Sequence, residues 1–278
     1  WLTDGVEGLA PASLASAGAD QPPSLVIRPW HQAGAVVSLR EFTNNAFNHH
    51  HGIQSTERFG SGVDADGDGV RDELTRADVT AVALFQAALA PPGRVIPRNA
   101  AIEAAVRRGE SVFRETGCTS CHLPRLTLRG GGRFVEPGPF NPAGNLRAGE
   151  AAAVTLDLAD PGLPGPRLAV NANGDVEGEA FTDFKLHDLC DSPADENYET
   201  LNMHHPAGTE PFFQGNGRFL TYRLWDSANQ PPYGHHGRYT TMREAVEGHG
   251  GEAAPVRARP PGGPAVKLWP MPSGCGVR

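Results

Sequence analysis

The stretch Gly117-Cys118-Thr119-Ser120-Cys121-His122 is the most informative motif of this chain for its fold. Two thiols separated by two residues can each add to a vinyl group of one porphyrin, while the adjacent imidazole reaches the iron from the same turn. We therefore expect haem c to be attached covalently at Cys118 and Cys121, with His122 as the proximal iron ligand. The alternative is zinc, which needs four ligands; a second Cys-x-x-Cys pair is missing, although Cys190 and a histidine could complete a set.

Hydrophobic periodicity predicts helices on both sides of this motif. Apolar residues recur at helical spacing over 36–47, and further helices are expected over 75–89, 100–115 and 241–247. Glycine and proline are concentrated between 124 and 175, where we expect a long ordered loop around the haem edge. The sequence therefore predicts a mainly α fold with long ordered loops and little β structure.

The residue opposite His122 on the iron would decide the chemistry. A methionine or histidine there favours electron transfer, whereas an open position admits peroxide. Met203 lies in a predicted loop beside two histidines and is the best thioether candidate; Met242 lies inside a predicted helix, where packing is the expected role, and Met271 is the third methionine. The other candidate ligands are His187, His204, His205, His235, His236 and His249.

Alternating aspartates form an acidic turn before the second predicted helix. Their spacing, with Gly69 allowing a sharp bend, is typical of a calcium loop. The expected Ca²⁺ ligands are Asp64, Asp66, Asp68, the carbonyl of Val70, and Asp72. Position twelve of the loop is Thr75 and not a bidentate Glu, so we expect modest affinity and a structural role. The alternative is a solvated acidic turn without metal.

Composition limits the partners and the compartment. The net charge is −8, from 24 basic and 32 acidic residues, and no basic cluster stands out, so nucleic acid is not an expected partner. The longest apolar run, near 79–89, is far short of the roughly 20 residues of a membrane span. Cys190 and Cys275 could form a disulfide in an oxidising compartment. Since the chain begins at Trp1, we expect a removed signal peptide or missing upstream sequence, and a periplasmic or extracellular location.

Several further motifs follow one another along the chain in a fixed order. They are Arg28–Gln32, Ser38–Thr43, Asn48–Gln54, the acidic loop, the haem motif, Phe184–Asp188, Pro232–Gly237 and His249–Ala253. Together they resemble the bacterial di-haem oxidoreductases of the cytochrome c peroxidase and MauG superfamily, in particular the branch of putative di-haem thiol oxidoreductases or peroxidases. The resemblance extends over residues 25–255 and matches the second-haem half of that family.

The resemblance implies a cytochrome c-like fold around each of two haems, one relaying electrons and one where an oxidant reacts. Only one attachment motif is present here, so a second haem would belong to a missing domain or another chain, unless it has been lost. The implied domains are an N-terminal extension or linker (1–30), an inter-haem segment (31–98) and a haem domain (99–278).

Family position also assigns roles to particular residues. It implies Met203 as the distal ligand, with His187 and His235 lining the haem pocket or the route between haems. Relatives usually have Met-Gly where this chain has Leu189-Cys190, which favours a disulfide from Cys190 to Cys275.

Two functional hypotheses follow. In the first, the chain is the high-potential relay half of a peroxidase-type oxidoreductase; in the second, it is a non-catalytic electron-transfer or interaction subunit of a multi-haem assembly. Both imply a redox protein as electron donor or acceptor, and a further haem-bearing chain or domain as a candidate partner. A third interpretation makes His49, His50 and His51 a metal or second-haem site, although surface exposure and hydrogen bonding are commoner roles. The sequence contains no triad order or phosphate-binding loop, and it assigns no catalytic residue.

Overall fold

The computed structural model describes residues 28–128, 132–205 and 207–257, so most of the expected N-terminal extension lies outside the described residues. Four of the helices in these ranges match the predicted helices to within a few residues. The helices are α1 (Leu39–His51), α2 (Thr56–Phe59), α3 (Arg76–Ala88), α4 (Ala100–Thr116), α5 (Met242–Glu247) and α6 (Ala254–Arg257). None of the described helices is long and apolar enough to cross a membrane, as expected from the sequence.

The prediction of a mainly α fold is wrong, because the described chain also forms antiparallel sheets and is mixed α/β. The sheets have the orders β1-β5-β4, β2-β3 and β6-β7. The strands are β1 (Leu126–Leu128), β2 (Arg133–Glu136), β3 (Val154–Asp157), β4 (Ala169–Val170), β5 (Val176–Gly178), β6 (Leu186–Asp188) and β7 (Arg218–Leu220).

Much of the strand structure falls where a long loop was expected. Strand β2 pairs with β3 from Arg133 opposite Asp157 to Glu136 opposite Val154. Pairing gives the backbone amides and carbonyls of this glycine- and proline-rich region the hydrogen bonds that ordered chain requires. Each strand has two to four residues, which is too few for an alternating pattern to be recognised in the sequence.

Local capping sets both ends of α4, the helix that leads into the haem motif. The side chain of Asn99 accepts hydrogen bonds from the amides of Ala101 and Ile102. At the other end, Gly117 has φ 95°, and its N–H donates to the carbonyls of Arg114 and Phe113. Glycine adopts this left-handed conformation without steric cost, so the helix ends at Thr116, two residues before Cys118.

A buried charge network joins α1, α2, α3 and β2. Arg40, on α1, is fully buried and binds the carboxylates of Glu57 and Glu136, which are also buried. The same guanidinium donates to the hydroxyl of Thr80 and the carbonyl of Arg76. This network holds α1, α2 and α3 against the β2–β3 hairpin.

Strands β6 and β7 form a hairpin that lies beside the Cys-x-x-Cys-His motif, with His187 close to Cys121. Leu186 and Phe219 are buried on it, and His187 pairs with Phe219 in the strand register. The amide of Leu220 donates to the carbonyl of Gln32, which ties the hairpin to the segment before α1. The backbone of His187 is therefore fixed by the pairing of β6 with β7.

Candidate haem-attachment site

The two thiols and the imidazole of the motif lie on one tight turn. A single 3-10 turn covers Cys118–Ser120, and the amide of His122 donates to the carbonyl of Cys118 at 3.0 Å. The hydroxyl oxygen of Thr116 lies 3.3 Å from the sulfur of Cys118. Both cysteines are half-buried, so their sulfurs are near the surface of the protein.

A backbone carbonyl orients the imidazole of His122. Its Nδ1 lies 3.0 Å from the carbonyl oxygen of Phe181. Since a carbonyl can only accept, Nδ1 carries the proton, and Nε2 is the nitrogen with a lone pair for a metal. Burial lowers the pKa of His122, and the Phe181 carbonyl and a weaker interaction with the backbone of Tyr222 only partly offset this effect. The imidazole is therefore neutral, the form that binds iron.

Aromatic rings pack beside this imidazole. The ring centroids of Phe113, on α4, and His122 are 6.2 Å apart, and those of Phe113 and Phe181 are 6.4 Å apart in an edge-to-face arrangement. Phe181 has φ 51°, a left-handed conformation that is rare for a bulky residue. This backbone geometry occurs at the residue whose carbonyl accepts the hydrogen bond from His122.

A second cluster of polar side chains contacts the motif at Cys121. One donor atom each from Cys121, Asp183 and His187 lie within 4.8 Å of one another. His187 Nε2 is 3.0 Å from the carboxylate of Asp183, and Nδ1 is 2.8 Å from that of Glu252. The hydrogen bond to Asp183, followed by those to Cys121 and Glu252, raises the pKa of His187 to about 10. His187 is therefore held as an imidazolium.

Sequence reasoning identified His187 but missed its two carboxylate partners. Asp183 precedes the motif at Phe184–Asp188, and Glu252 lies in the motif at His249–Ala253, 65 residues after His187. Each motif was visible in the sequence. Their contact was not, because nothing in a linear pattern indicates that the segment after α5 returns to β6.

The distal-ligand candidates lie in different surroundings. Met203 is 40% exposed in the loop between β6 and β7, and no described contact joins it to His122. His235 stacks on Phe219 with ring centroids 4.0 Å apart, and its Nε2 is 3.5 Å from the carboxylate of Glu199. The ring of His249 bonds to the carbonyl of Ala245, and electrostatic repulsion from His249 is a lesser cause of the lowered pKa of His122. Met271 lies outside the described residues.

The acidic loop brings together part of the expected calcium ligand set. Carboxylate oxygens of Asp64, Asp66 and Asp68 lie within 4.8 Å of one another. Asp72 instead accepts hydrogen bonds from the amide of Gly62 and the hydroxyl of Ser61. The amide of Val70 donates to Asp68 at 2.7 Å. Three of the five expected ligands are therefore clustered, and Asp72 is held by other partners.

The remaining sequence candidates do not join either cluster. His49, His50 and His51 occupy the last turn of α1 as expected, but all three are exposed, and they belong to no group of clustered metal donors among the described residues. Cys190 is buried, and burial is the main reason that the pKa of its thiol is raised to about 12. Cys275 lies outside the described residues, so the proposed disulfide does too.

Comparison of this chain with models of known protein families, with curated proteins and with solved structures finds no match. The resemblance to the di-haem oxidoreductases therefore stays a prediction from the motifs.

Proposed function

We propose that this chain is a c-type cytochrome that carries electrons through a haem attached at Cys118 and Cys121, with His122 as the proximal iron ligand. The observation that supports this most is the 3.0 Å hydrogen bond from His122 Nδ1 to the carbonyl of Phe181. Metal-binding histidines usually donate their second N–H to a carbonyl or carboxylate, which sets the tautomer and the ring orientation. The carbonyl of Phe181 orients His122 in that way.

The donor set fits haem c in its chemistry. Cys118 and Cys121, both half-buried, would hold haem through thioether bonds, and adding each S–H across a vinyl group would require no oxidant. Haem would supply a one-electron iron centre at this turn. Phe113 and Phe181 would exclude water beside His122, and the Phe181 carbonyl would keep the imidazole from rotating.

Within this proposal, we assign the chain as the electron-relay half of a peroxidase-type oxidoreductase, with Met203 as the distal ligand. The family resemblance supports this role, and a non-catalytic electron-transfer or interaction subunit is the alternative. Either role requires a redox protein as partner. Covalent haem attachment would support a location in the periplasm or another compartment outside the cytoplasm.

Haem attachment is tested by expressing the chain together with a bacterial haem-attachment system and denaturing the purified product. We expect one haem per chain to remain bound after denaturation, as measured by the absorption of its pyridine complex. Cys118→Ser and Cys121→Ser should each lose a thioether bond, whereas Cys190→Ser, which removes a buried thiol outside the motif, should behave as the wild type. A wild-type chain that retains no haem would overturn the proposal.

The relay role is tested on the same holoprotein by its ferric absorption spectrum before and after peroxide. We expect a low-spin spectrum with the methionine-to-iron band, unchanged by peroxide, and we expect Met203→Ala to abolish that band while Met242→Ala keeps it. A high-spin component that reacts with peroxide would contradict the relay role and make the chain itself the site of peroxide chemistry.

We also propose that the acidic loop binds calcium with modest affinity. Three clustered carboxylates are typical of such sites, and the amides of Gly67 and Gly69 orient Asp64. Calorimetric titration should detect Ca²⁺ binding that Asp66→Asn weakens. Asp72→Asn is the matched control, since Asp72 has other partners in this structure. Equal loss in both variants would show that the ligands differ from those assigned here.

A further inference from the structure

A thiol, a carboxylate and an imidazole meet beside the haem motif. Donor atoms of Cys121, Asp183 and His187 lie within 4.8 Å of one another. We propose that, before haem is attached, these three residues bind a divalent transition-metal ion of the zinc class, which competes with haem for Cys121. The competition rests on the proposed haem attachment, whereas the metal site does not.

The orientation of His187 is the one that a metal ligand needs. Nε2 faces Asp183 at 3.0 Å, and Nδ1 is bound by Glu252 at 2.8 Å. A carboxylate on the far nitrogen is the usual partner of a metal-binding histidine, because it sets the ring orientation and raises the basicity of the ligand. The second carboxylate oxygen of Glu252 accepts from the amide of Asp188, so this partner is itself held in place.

The carboxylate of Asp183 is positioned in a similar way. One of its oxygens accepts a hydrogen bond from the amide of Lys185 at 2.9 Å, which leaves the other oxygen directed at His187. The side chain of Asp183 is 5% exposed and that of His187 is 15% exposed. Both ligands are therefore set by the backbone around β6 and would need little reordering on metal binding.

The ligand chemistry selects the class of ion. Sulfur and imidazole nitrogen favour zinc and similar ions over calcium and magnesium, which prefer oxygen ligands. A thiolate and a carboxylate together balance the charge of a divalent cation, and the proton of Cys121 and one proton of His187 would pass to solvent on binding. Three protein ligands leave the fourth tetrahedral position for water.

Metal and haem cannot use Cys121 at the same time. Attachment joins the sulfur to a vinyl carbon, and the neutral thioether that results is a far weaker zinc ligand than a thiolate. Bound metal would also hold the Cys121 thiolate, so that this sulfur could not react with a vinyl group of haem. The ion must therefore leave before haem is fully attached.

The test uses the full chain, reduced and produced without a haem-attachment system, and titrated with Co²⁺ and then Zn²⁺. We expect a thiolate-to-cobalt absorption band at one ion per chain, displaced by Zn²⁺. Cys121→Ser should abolish the band, and Glu252→Gln should weaken binding by about 10–100-fold. The matched control is Cys118→Ser, which should keep the band because Cys118 is outside the cluster. Circular dichroism establishes that each variant is folded.

The absence of a cobalt band in the folded wild-type chain would overturn the metal site. Equal loss of the band in Cys118→Ser and Cys121→Ser would also overturn it, because the ion would then be bound by the two motif thiols. Zinc-loaded chain should also attach haem more slowly than zinc-free chain, and a chelator should restore the rate. A cobalt band in a chain that never attaches haem would leave the metal site standing and remove the cytochrome function. Haem attachment that is unaffected by zinc would refute the competition.

Discussion

Arg40 offers the clearest test of how this fold is held together. Its guanidinium is fully buried, and it donates to two carboxylates, one hydroxyl and one carbonyl. The side chains of Glu57 and Glu136 are only 1% and 2% exposed. Arg40→Met keeps much of the side-chain volume. It removes the guanidinium to which both carboxylates are bound.

The expected cost follows from the charges that remain. Breaking a buried ion pair by removing one partner costs about 3–5 kcal/mol, because the other charge stays buried without compensation. Here two carboxylates are left. Glu57 retains hydrogen bonds from Asn44 and the amide of Leu146, and Glu136 retains one from Asn141, which keeps the expected loss within that range.

Glu136→Gln is the matched control for the same network. One guanidinium serves two carboxylates, so neutralising Glu136 leaves a balanced pair between Arg40 and Glu57, and the glutamine oxygen can accept the same bonds. We expect a cost of about 1 kcal/mol or less. Urea unfolding followed by far-UV circular dichroism gives both values. A loss below about 1 kcal/mol for Arg40→Met, or equal losses in the two variants, would refute the charge argument.

Three further predictions concern α4 and a buried thiol. Gly109→Ala should stabilise the chain by about 0.5–1 kcal/mol, because a Cβ at this helix position meets open space. Gly117→Ala should destabilise it by about 1–2 kcal/mol, because Gly117 has φ 95°. Urea midpoints that shift in the same direction for both variants would contradict this. In the reduced haem-free chain at neutral pH, iodoacetamide should label Cys118 faster than Cys190, whose pKa burial raises to about 12. In the unfolded chain the thiol of Cys190 loses its proton near the ordinary pKa of 9.0, whereas in the native state it keeps the proton until about pH 12. The contribution of Cys190 to the free energy of unfolding should therefore fall as pH rises from about 9 towards 12. Equal labelling rates by mass spectrometry would show that the thiol is not protected.

Sequence patterns were most informative where the determinants are local. The helices at α1, α3 and α4 follow from periodicity, and the end of α4 follows from Gly117. The turn that presents both thiols and the imidazole needs only five consecutive residues. The acidic cluster is also local, although the pattern did not show that Asp72 would bind Gly62 and Ser61.

The sheets could not be predicted from the sequence, because their strands are short and pair across long loops. Strand β1 pairs with β5 some fifty residues later, from Leu126 opposite Gly178 to Leu128 opposite Val176. No strand of two to four residues carries enough alternating positions to be distinguished from loop. Pairing between distant segments decides whether such residues are extended.

The sequence by itself determined which groups are available for chemistry: the Cys-x-x-Cys-His turn, the alternating aspartates and the helix that delivers the motif. Only the tertiary structure decided which groups meet. The carbonyl of Phe181 reaches His122 across 59 residues, and Glu252 reaches His187 across 65. Spacing along the chain encodes the contacts within one turn, whereas these longer contacts depend on how Phe181 comes to lie beside the motif and how the turn at Glu252 packs against β6.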